Sequence, residues 1–254
     1  EGRRRGDRHD QREAQGDRVT GGAARKLTGF QGGFGGFKVS PRADKLLIWA
    51  DRKPGALSLA PAMVKADASA GSASTYNGLF VRHWDSWATG DRSQLYVLPL
   101  GADGAPGDGV AISGRLLGDV PSKPFGGGEE VAWSADGNTV YFALREAGRI
   151  EATSTNLDIF SAPADGSAAP TNLTDANDAT DTYPTVSPDG RWLAWAAMKR
   201  PTYEADKLTL MLRDLRTGQV RALTDGWDRS VGSIAWSPDS KRVLITAEDT
   251  QENP

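Results

Sequence analysis

A short turn phrase, Ser-Pro-Asp-Gly in its fullest copy, recurs along the 254 residues and constrains the fold more than any other feature. Its copies centre on Ser40, Ser134, Ser187 and Ser237, which are 94, 53 and 50 residues apart. In the full phrase, proline presets φ at the first turn position, aspartate can bond its own backbone, and glycine accepts a positive φ. The phrase therefore predicts a tight turn between two strands that returns about every 50 residues.

Apolar runs follow the turn phrases and predict short β-strands. These runs occupy residues 45–49, 139–144, 191–195 and 242–246, and second runs follow at residues 157–161 and 208–212. A Leu-Thr pair recurs in the same phase at residues 27–28, 173–174 and 223–224. Four short strands in each unit of about 40 to 50 residues are typical of a β-propeller blade. The alternative is a sandwich or irregular β-protein whose turns are alike by chance.

The spacing of the repeats predicts the domain organisation. Because the first interval is about twice the others, we expect a degenerate repeat between the first two phrases, with strands at residues 78–81 and 94–98. Residues 19–254 then form an all-β partial propeller of about four to five blades. The last blade is unfinished, so we expect the chain to be part of a larger protein. Residues 1–18 contain a single apolar side chain, Ala14, and are predicted to be disordered.

Composition argues against several kinds of site. The sequence has no cysteine, which excludes a disulfide framework, a thiolate metal site and a cysteine nucleophile. Its two histidines, His9 and His83, lie far apart. Asp175, Asp178 and Asp181 lack the glycine and terminal glutamate of a calcium loop. We therefore predict neither a metal site nor a cofactor.

Charge and hydropathy argue against two kinds of partner. The formal net charge is −3, and acidic residues interrupt the bases of residues 1–26, so nucleic-acid binding is not expected. No apolar run approaches the roughly 18 residues that a membrane-spanning helix needs, so no membrane partner is expected. The glycine clusters at residues 32–36 and 126–128 lack the Lys-Ser/Thr ending of a phosphate loop. The compartment stays open between the cytoplasm and the bacterial periplasm.

Three stretches resemble the β-propeller domain of the prolyl oligopeptidase family of serine peptidases. They are His-Trp-Asp-Ser-Trp at residues 83–87, Asp-Val-Pro-Ser-Lys-Pro-Phe-Gly-Gly at residues 119–127, and residues 186–207, which include Pro-Thr-Tyr-Glu-Ala-Asp. The similarity covers about residues 27–249 and is strongest to the branch of bacterial dipeptidyl peptidase V and acylaminoacyl-peptidase-like enzymes. The Ser-Pro-Asp-Gly repeat is less specific, because TolB-type propellers share it, and blades of the TolB or WD40 type are expected.

The resemblance implies a two-domain enzyme in which a propeller, usually seven-bladed, covers an α/β-hydrolase domain with a Ser-Asp-His triad. No Gly-x-Ser-x-Gly nucleophile elbow occurs in the 254 residues, so this chain is predicted to be non-catalytic and to control substrate access. The implied reaction is the hydrolysis of short peptides, of the dipeptidyl- or acylaminoacyl-peptidase type. The implied partners are a peptide substrate and the remaining blades and hydrolase domain of the same protein, and a homo-oligomer stays open.

A dipeptide-releasing enzyme must hold a free α-ammonium group, which carboxylates bind through charge-assisted hydrogen bonds. Glu204 is one candidate, with Arg200 and Tyr203, because it lies in a proline-marked loop within the most family-like phrase. The alternative is that Glu204 forms a solvated ion pair with Arg200 or Lys207.

Glu129 and Glu130 are the second pair of candidates for binding the substrate. They follow a glycine run and precede a predicted strand, and they resemble the paired glutamates that anchor the amino terminus in the better-known dipeptidyl peptidase branch. The alternative is two solvated acids at a blade edge.

The tryptophans divide into two groups. Trp133 and Trp236 occupy matching repeat positions and are predicted to pack in blade cores. Trp84 and Trp87 break the repeat, and packing within the fold is favoured for them over lining a cavity or an interdomain contact.

A function of a different class also fits the repeat. A non-catalytic TolB-like scaffold propeller that binds a protein partner would show the same turn phrases. More blades and a nucleophile elbow in the longer protein would favour the peptidase, and ring closure without them would favour the scaffold.

Overall fold

A computed structural model describes residues 15–16, 25–27, 33–60, 73–114, 116–146 and 151–248 of the chain. The first two strands, β1 (Gln15–Gly16) and β2 (Arg25–Lys26), pair antiparallel with each other. The remainder of the segment predicted to be disordered, residues 1–14 and 17–18, lies outside the described residues, as does Thr28. Within the described residues, no helix is long and apolar enough to cross a membrane.

Three four-stranded antiparallel sheets follow one another along the chain. The first contains β3 (Gly36–Val39), β4 (Lys45–Arg52), β7 (Arg92–Pro99) and β8 (Val110–Ala111), with a hairpin of β5 (Arg82–His83) and β6 (Ser86–Trp87) between its second and third strands. A single 3-10 turn at Gly128–Glu130 leads into the second sheet, β9 (Val131–Trp133), β10 (Thr139–Leu144), β11 (Asp158–Pro163) and β12 (Thr171–Asn172). The third sheet contains β13 (Asp181–Val186), β14 (Trp192–Ala197), β15 (Thr209–Asp214) and β16 (Val220–Ala222). A two-stranded sheet of β17 (Ile234–Trp236) and β18 (Val243–Ile245) comes last.

The degenerate repeat predicted between the first two phrases is wrong. Residues 94–98 belong to β7, the third strand of the first sheet, which pairs along its whole length with β4. Residues 78–81, which the structure describes, form no strand and lie in the connection between β4 and β7. The long first interval therefore comes from an insertion within one sheet and not from an additional sheet.

The recurring serine closes each turn as the sequence predicts. Ser187 is fully buried, and its Oγ accepts the N–H of Trp192 at 2.9 Å and donates to Asp189 Oδ1 at 2.5 Å. The hydroxyls of Ser40, Ser134 and Ser237 accept the N–H five residues on at 2.9 to 3.0 Å and donate to an aspartate of the same turn. Leaving such a buried hydroxyl without either hydrogen-bond partner would cost free energy of folding. The residues of the phrase therefore stabilise the hairpin through contacts between near neighbours in sequence.

The fourth position of each turn has a left-handed backbone. Glycine occupies it at Gly137 and Gly190, with φ of 68° and 73°. Ala43 and Ser240 occupy it in the other two copies, with φ of 54° and 60°. These two residues carry a Cβ where glycine is sterically favoured.

Replacing Ala43 with glycine should raise the free energy of unfolding by about 0.5 to 1 kcal/mol, because the strain of a left-handed alanine exceeds the entropy cost of glycine. Urea denaturation of the Ala43→Gly variant measures this. The matched control is Ala168→Gly, an exposed alanine whose φ is not positive, where glycine should lower stability slightly. A loss of stability in Ala43→Gly equal to that of the control would contradict the strain argument.

The Leu-Thr pair attaches the fourth strand of a sheet to the third. Thr174 Oγ1 accepts the N–H of Ile159 at 2.9 Å, and Thr224 Oγ1 accepts that of Leu210 at 2.8 Å. In the first sheet, Ser113 Oγ accepts the N–H of Leu95 at 2.8 Å in the same way. The sequence did not reveal this copy, because isoleucine and serine replace leucine and threonine there.

Alternating side chains of each sheet form separate cores on its two faces, as the period of two in a strand requires. One core joins the first and second sheets through residues that include Leu47, Leu95, Val131, Trp133 and Phe142. Further cores join the second sheet to the third, and the third to β17 and β18.

The two repeat tryptophans pack as predicted. Trp133 is buried in the core between the first two sheets, and its Nε1 donates to Lys38 O at 3.3 Å. Trp236 packs against the third sheet, and its Nε1 donates to Thr185 O at 3.1 Å. Each tryptophan therefore bonds the first strand of its own sheet to the first strand of the preceding sheet.

Candidate functional site

Antiparallel pairing brings two sets of connections to one end of the sheets. Two connections of each four-stranded sheet emerge at this end, which we call the loop face. One joins the second strand to the third, and the other leads to the next sheet. The connections of the second and third sheets meet there. Thr180 Oγ1 donates to Thr155 O at 2.7 Å, and the N–H of Thr202 donates to Thr155 Oγ1 at 2.8 Å. The serine turns lie at the opposite end.

All five residues that the sequence predicts to bind substrate lie on the loop face. Arg200, Tyr203 and Glu204 belong to the connection between β14 and β15. Glu129 and Glu130 belong to the 3-10 turn just before β9. The fold therefore places both predicted groups at the same end of neighbouring sheets, although they are far apart in sequence.

Asp206 fixes the loop that carries Arg200. Its carboxylate accepts the backbone N–H groups of Lys199 at 2.9 Å and Arg200 at 2.8 Å, and the Nε of Arg200 at 3.2 Å. Burial opposes ionisation, but these donors and the N–H of Lys207 outweigh it and lower the pKa of Asp206 to about 2. The Arg200 guanidinium also stacks on Tyr203, with its Cζ 3.8 Å from the ring centroid. Arg200 is thus held in place while most of its guanidinium stays exposed.

Glu204 does not form the ion pair that was its alternative interpretation. Arg200 pairs with Asp206, and the Nζ of Lys207 donates to backbone carbonyls that include Asp225 O at 2.8 Å. Glu204 is exposed and has no hydrogen bond or ion pair with any residue that the structure describes. Its carboxylate is therefore open to a ligand.

Glu130 has a different environment from its neighbour. It is buried, and its two carboxylate oxygens accept the N–H of Ser122 at 2.6 Å and the Oγ of Ser122 at 2.8 Å. Burial raises the pKa of Glu130, against the effect of these hydrogen bonds. A Cβ at Gly126 would lie 2.3 Å from Glu130 Oε2, so glycine is needed where this loop crosses the carboxylate. Glu130 therefore holds the loop in place.

Glu129 is exposed and borders a cleft of about 570 Å³ that we call the axial cleft. The first strands of the three four-stranded sheets and of the last sheet, β3, β9, β13 and β17, contribute to the cleft. Its lining residues include Lys38, Ala132, Trp133, Pro184, Thr185, Val186, Ser233 and Ile234. The Nζ of Lys38 donates to Val131 O and forms no ion pair with Glu129 among the residues that the structure describes. Glu129 thus offers a negative group beside a cleft walled by strand backbone and apolar side chains.

Comparisons with known proteins show relatives in sequence and in fold. No model of a protein family matches the chain. Dipeptidyl-peptidase 5 of Porphyromonas gingivalis is 32% identical over 224 residues, which are 85% of this chain and 31% of that protein. A probable dipeptidyl-peptidase 5 of Arthroderma benhamiae is 28% identical over 90% of this chain and 33% of that protein. The acylaminoacyl peptidase of Pyrococcus horikoshii, 12% identical, matches in fold with a TM-score of 0.59 over 89% of this chain and 30% of that chain.

These matches support a propeller part of a peptidase of the prolyl oligopeptidase family. The predicted β-propeller fold is confirmed, because the fold of the P. horikoshii protein covers the same sheets. The chain spans about a third of the length of the curated relatives that it matches.

An exposed aromatic cluster lies on the loop face. Trp84 and Phe125 are 69% and 77% exposed, with ring centroids 5.7 Å apart, and the His83 ring lies 4.7 Å from that of Trp84. Trp87 is also exposed and stacks on Tyr76 at 6.2 Å. The favoured expectation that Trp84 and Trp87 pack within the fold is therefore wrong for the described residues, because the β5–β6 hairpin projects from the sheets.

Tyr183 is among the residues of the axial cleft that sequence reasoning missed. The register of β13 against β14 shifts between Thr182 and Thr185, and Tyr183 in this β-bulge has φ of 59°. A bulge depends on pairing with a neighbouring strand and not on a local turn phrase. The local signal is Pro184, which follows Tyr183 within β13, because proline inside a strand is confined to edge strands and bulges.

Proposed function

We propose that this chain is the substrate-gating propeller of a serine exopeptidase that hydrolyses short peptides. Its 32% identity with a dipeptidyl-peptidase 5 over most of the chain is the observation that carries the proposal. The Ser-Asp-His triad and oxyanion hole would lie on an α/β-hydrolase domain elsewhere in the same protein, where acyl transfer to the serine takes place. This chain would supply recognition and access.

Access would be controlled by the size of the axial cleft. A cleft of about 570 Å³ accommodates a short extended peptide but not a folded domain. The remaining blades would complete its walls, and peptides with little folded structure would enter most easily.

Recognition would depend on carboxylates of the loop face. Glu129 and Glu204 are exposed, and each is suited to accept hydrogen bonds from the α-ammonium group of a peptide. Glu130 would support Glu129 by fixing the loop around Ser122. Arg200, held by Asp206 and Tyr203, would donate to a carbonyl or carboxylate oxygen of the same peptide.

A fluorophosphonate probe, which reacts with an activated serine, tests the family activity. Labelling of the native polypeptide that contains this sequence, followed by mass mapping, should give a labelled species larger than 27.1 kDa that includes peptides of this chain. The 254-residue chain alone should stay unlabelled. An unlabelled native polypeptide would exclude the peptidase and leave the scaffold propeller that binds a protein partner.

Carboxylate recognition is tested in the labelled protein with Glu129→Gln and Glu204→Gln. Each variant should raise KM for Ala-Ala-p-nitroanilide about 10- to 100-fold, because a charge-assisted hydrogen bond contributes about 1.5 to 3 kcal/mol. KM for the N-acetylated substrate should not change. Asp108→Asn is the matched control, since Asp108 is an exposed carboxylate in the connection between β7 and β8 at the opposite end of the sheets. Equal effects on both substrates would contradict ammonium recognition by that glutamate.

A further inference from the structure

The bulge at Tyr183 places a large side chain in an unfavourable backbone conformation. Only a few non-glycine residues adopt a left-handed φ, and an aromatic residue there is a conformational outlier. The two flanking stretches of β13 pair regularly with β14, so the irregularity is confined to one point of the strand. Strained positions of this kind persist where the surrounding structure fixes them, and they concentrate at functional sites.

The bulge places Tyr183 in the lining of the axial cleft, which Glu129 also borders. Both residues line the cleft, and β13 packs against the 3-10 turn that carries Glu129. Burial raises the pKa of Tyr183, and the carboxylates of Glu129 and Glu130 raise it further, so the phenol is neutral. Its hydroxyl has no hydrogen-bond partner among the residues that the structure describes.

We propose that Tyr183 is a specificity-determining residue of the axial cleft and that, with Glu129, it selects ligands carrying a primary ammonium group. The proposal rests on the proposed function, in which that group is the amino terminus of a peptide. An aromatic face attracts an ammonium ion through its negative quadrupole, and a nearby carboxylate accepts its hydrogen bonds. The bulge is what brings the aromatic face into the cleft.

Lys38 is a cationic residue of the axial cleft, and it forms no ion pair with Glu129 among the described residues. Lys38 lies on β3, and its Nζ donates to Val131 O on the neighbouring sheet. Burial lowers the pKa of Lys38, while Glu129 opposes that effect. The Glu129 carboxylate therefore still has room to accept hydrogen bonds from a ligand.

Peptide binding to the native polypeptide that contains this sequence, with its active serine blocked by the fluorophosphonate probe, tests the proposal without requiring catalysis. The probes are Ala-Ala-Ala-amide and its N-acetyl derivative, titrated by NMR into the wild type and into Tyr183→Leu and Tyr183→Phe. Tyr183→Leu should weaken binding of the free-amine peptide about 5- to 10-fold and leave the acetylated peptide unchanged. Tyr183→Phe should lose less than half as much, because the ring is retained.

Phe37→Leu is the matched control. Phe37 is a half-exposed aromatic residue on β3, next to Lys38 and on the opposite side of that strand, and its substitution should change neither titration. Urea midpoints of all variants show whether Tyr183 has only a packing role.

Four results would overturn the proposal. One is an equal loss of binding, or no loss, for both peptides in Tyr183→Leu. Another is a lowered urea midpoint with an unchanged preference for the free amine, which would make Tyr183 a packing residue. If Glu129→Gln removes the preference for the free amine and Tyr183→Leu does not, recognition by Glu129 stands and the role of Tyr183 fails. If the wild type shows no such preference, ammonium recognition itself fails.

Discussion

Replacing Arg92 with methionine should lower the free energy of unfolding by about 3 kcal/mol, because it leaves the largely buried carboxylate of Glu151 without a cation and leaves Asp119 only the longer contact with Lys123 Nζ at 3.5 Å. Arg92 begins β7, and its Nη1 donates to Asp119 Oδ2 at 2.9 Å. Its guanidinium also binds Glu151 in a bidentate manner, at 2.5 and 2.7 Å. These hydrogen bonds raise the pKa of Arg92 despite burial. Urea denaturation at pH 7 measures the loss.

The position of the Arg92 network explains the size of the effect. Asp119 lies in the connection to the second sheet, and its Oδ1 also accepts the N–H of Ser93 at 2.7 Å. Glu151 lies in the connection between β10 and β11. A single guanidinium therefore ties β7 to two connections of the loop face.

Controls separate this network from a general effect of removing an arginine. Arg216→Met, at an exposed position, should change stability by no more than about 0.5 kcal/mol. Adding Glu151→Gln to Arg92→Met should recover part of the loss, because one of the unpaired charges is removed. A loss below about 1 kcal/mol in Arg92→Met would show that the carboxylates are solvated well enough without it.

The free energy of unfolding should fall by about 3 kcal/mol between pH 5 and pH 8, and most of this fall should disappear in Asp181→Asn. Asp181 is 1% exposed, and burial raises its pKa to about 7 even though Trp195 and Asn177 donate hydrogen bonds to it. In the unfolded chain the pKa of an aspartate is about 3.9. Urea denaturation at pH 5, 6, 7 and 8 measures the difference.

The direction of this pH dependence follows from which state binds the proton more tightly. The folded chain retains the proton of Asp181 at a pH where the unfolded chain has lost it. The stabilisation is therefore fully present below about pH 4 and is lost as the pH rises through about 7. Asparagine carries no charge but has only one acceptor oxygen, so Asp181→Asn should show a flatter pH profile than the wild type and lose one of the hydrogen bonds from Trp195 and Asn177.

Two other acidic residues should account for the pH dependence of stability that remains in the Asp181→Asn variant. Burial also raises the pKa of Asp158 and of Glu130, and both should keep part of the pH dependence in the Asp181→Asn variant. Asp108→Asn, at an exposed carboxylate, should leave the wild-type slope intact. Parallel pH profiles for Asp181→Asn and the wild type would contradict the assignment to Asp181.

The turns could be predicted from sequence because their stabilising contacts are local. Ser187 bonds Asp189 and Trp192, which lie two and five residues away, so the phrase contains both partners of each hydrogen bond. The propeller fold and the packing of Trp133 follow from the same repeat. The equivalent contact of Ser113 was not predicted, because an Ile-Ser pair takes the place of Leu-Thr there and makes the same hydrogen bond.

The sequence by itself determined the turn chemistry, the strand period and the family resemblance, since each depends on residues a few positions apart. Only the tertiary structure decided that residues 94–98 complete the first sheet, because strand pairing joins β4 to β7 across a long insertion. It also decided that Glu130 is buried on Ser122 while Glu129 and Glu204 remain exposed. Tyr183 lines the axial cleft because the register of β13 shifts against β14, and this shift depends on the pairing of both strands.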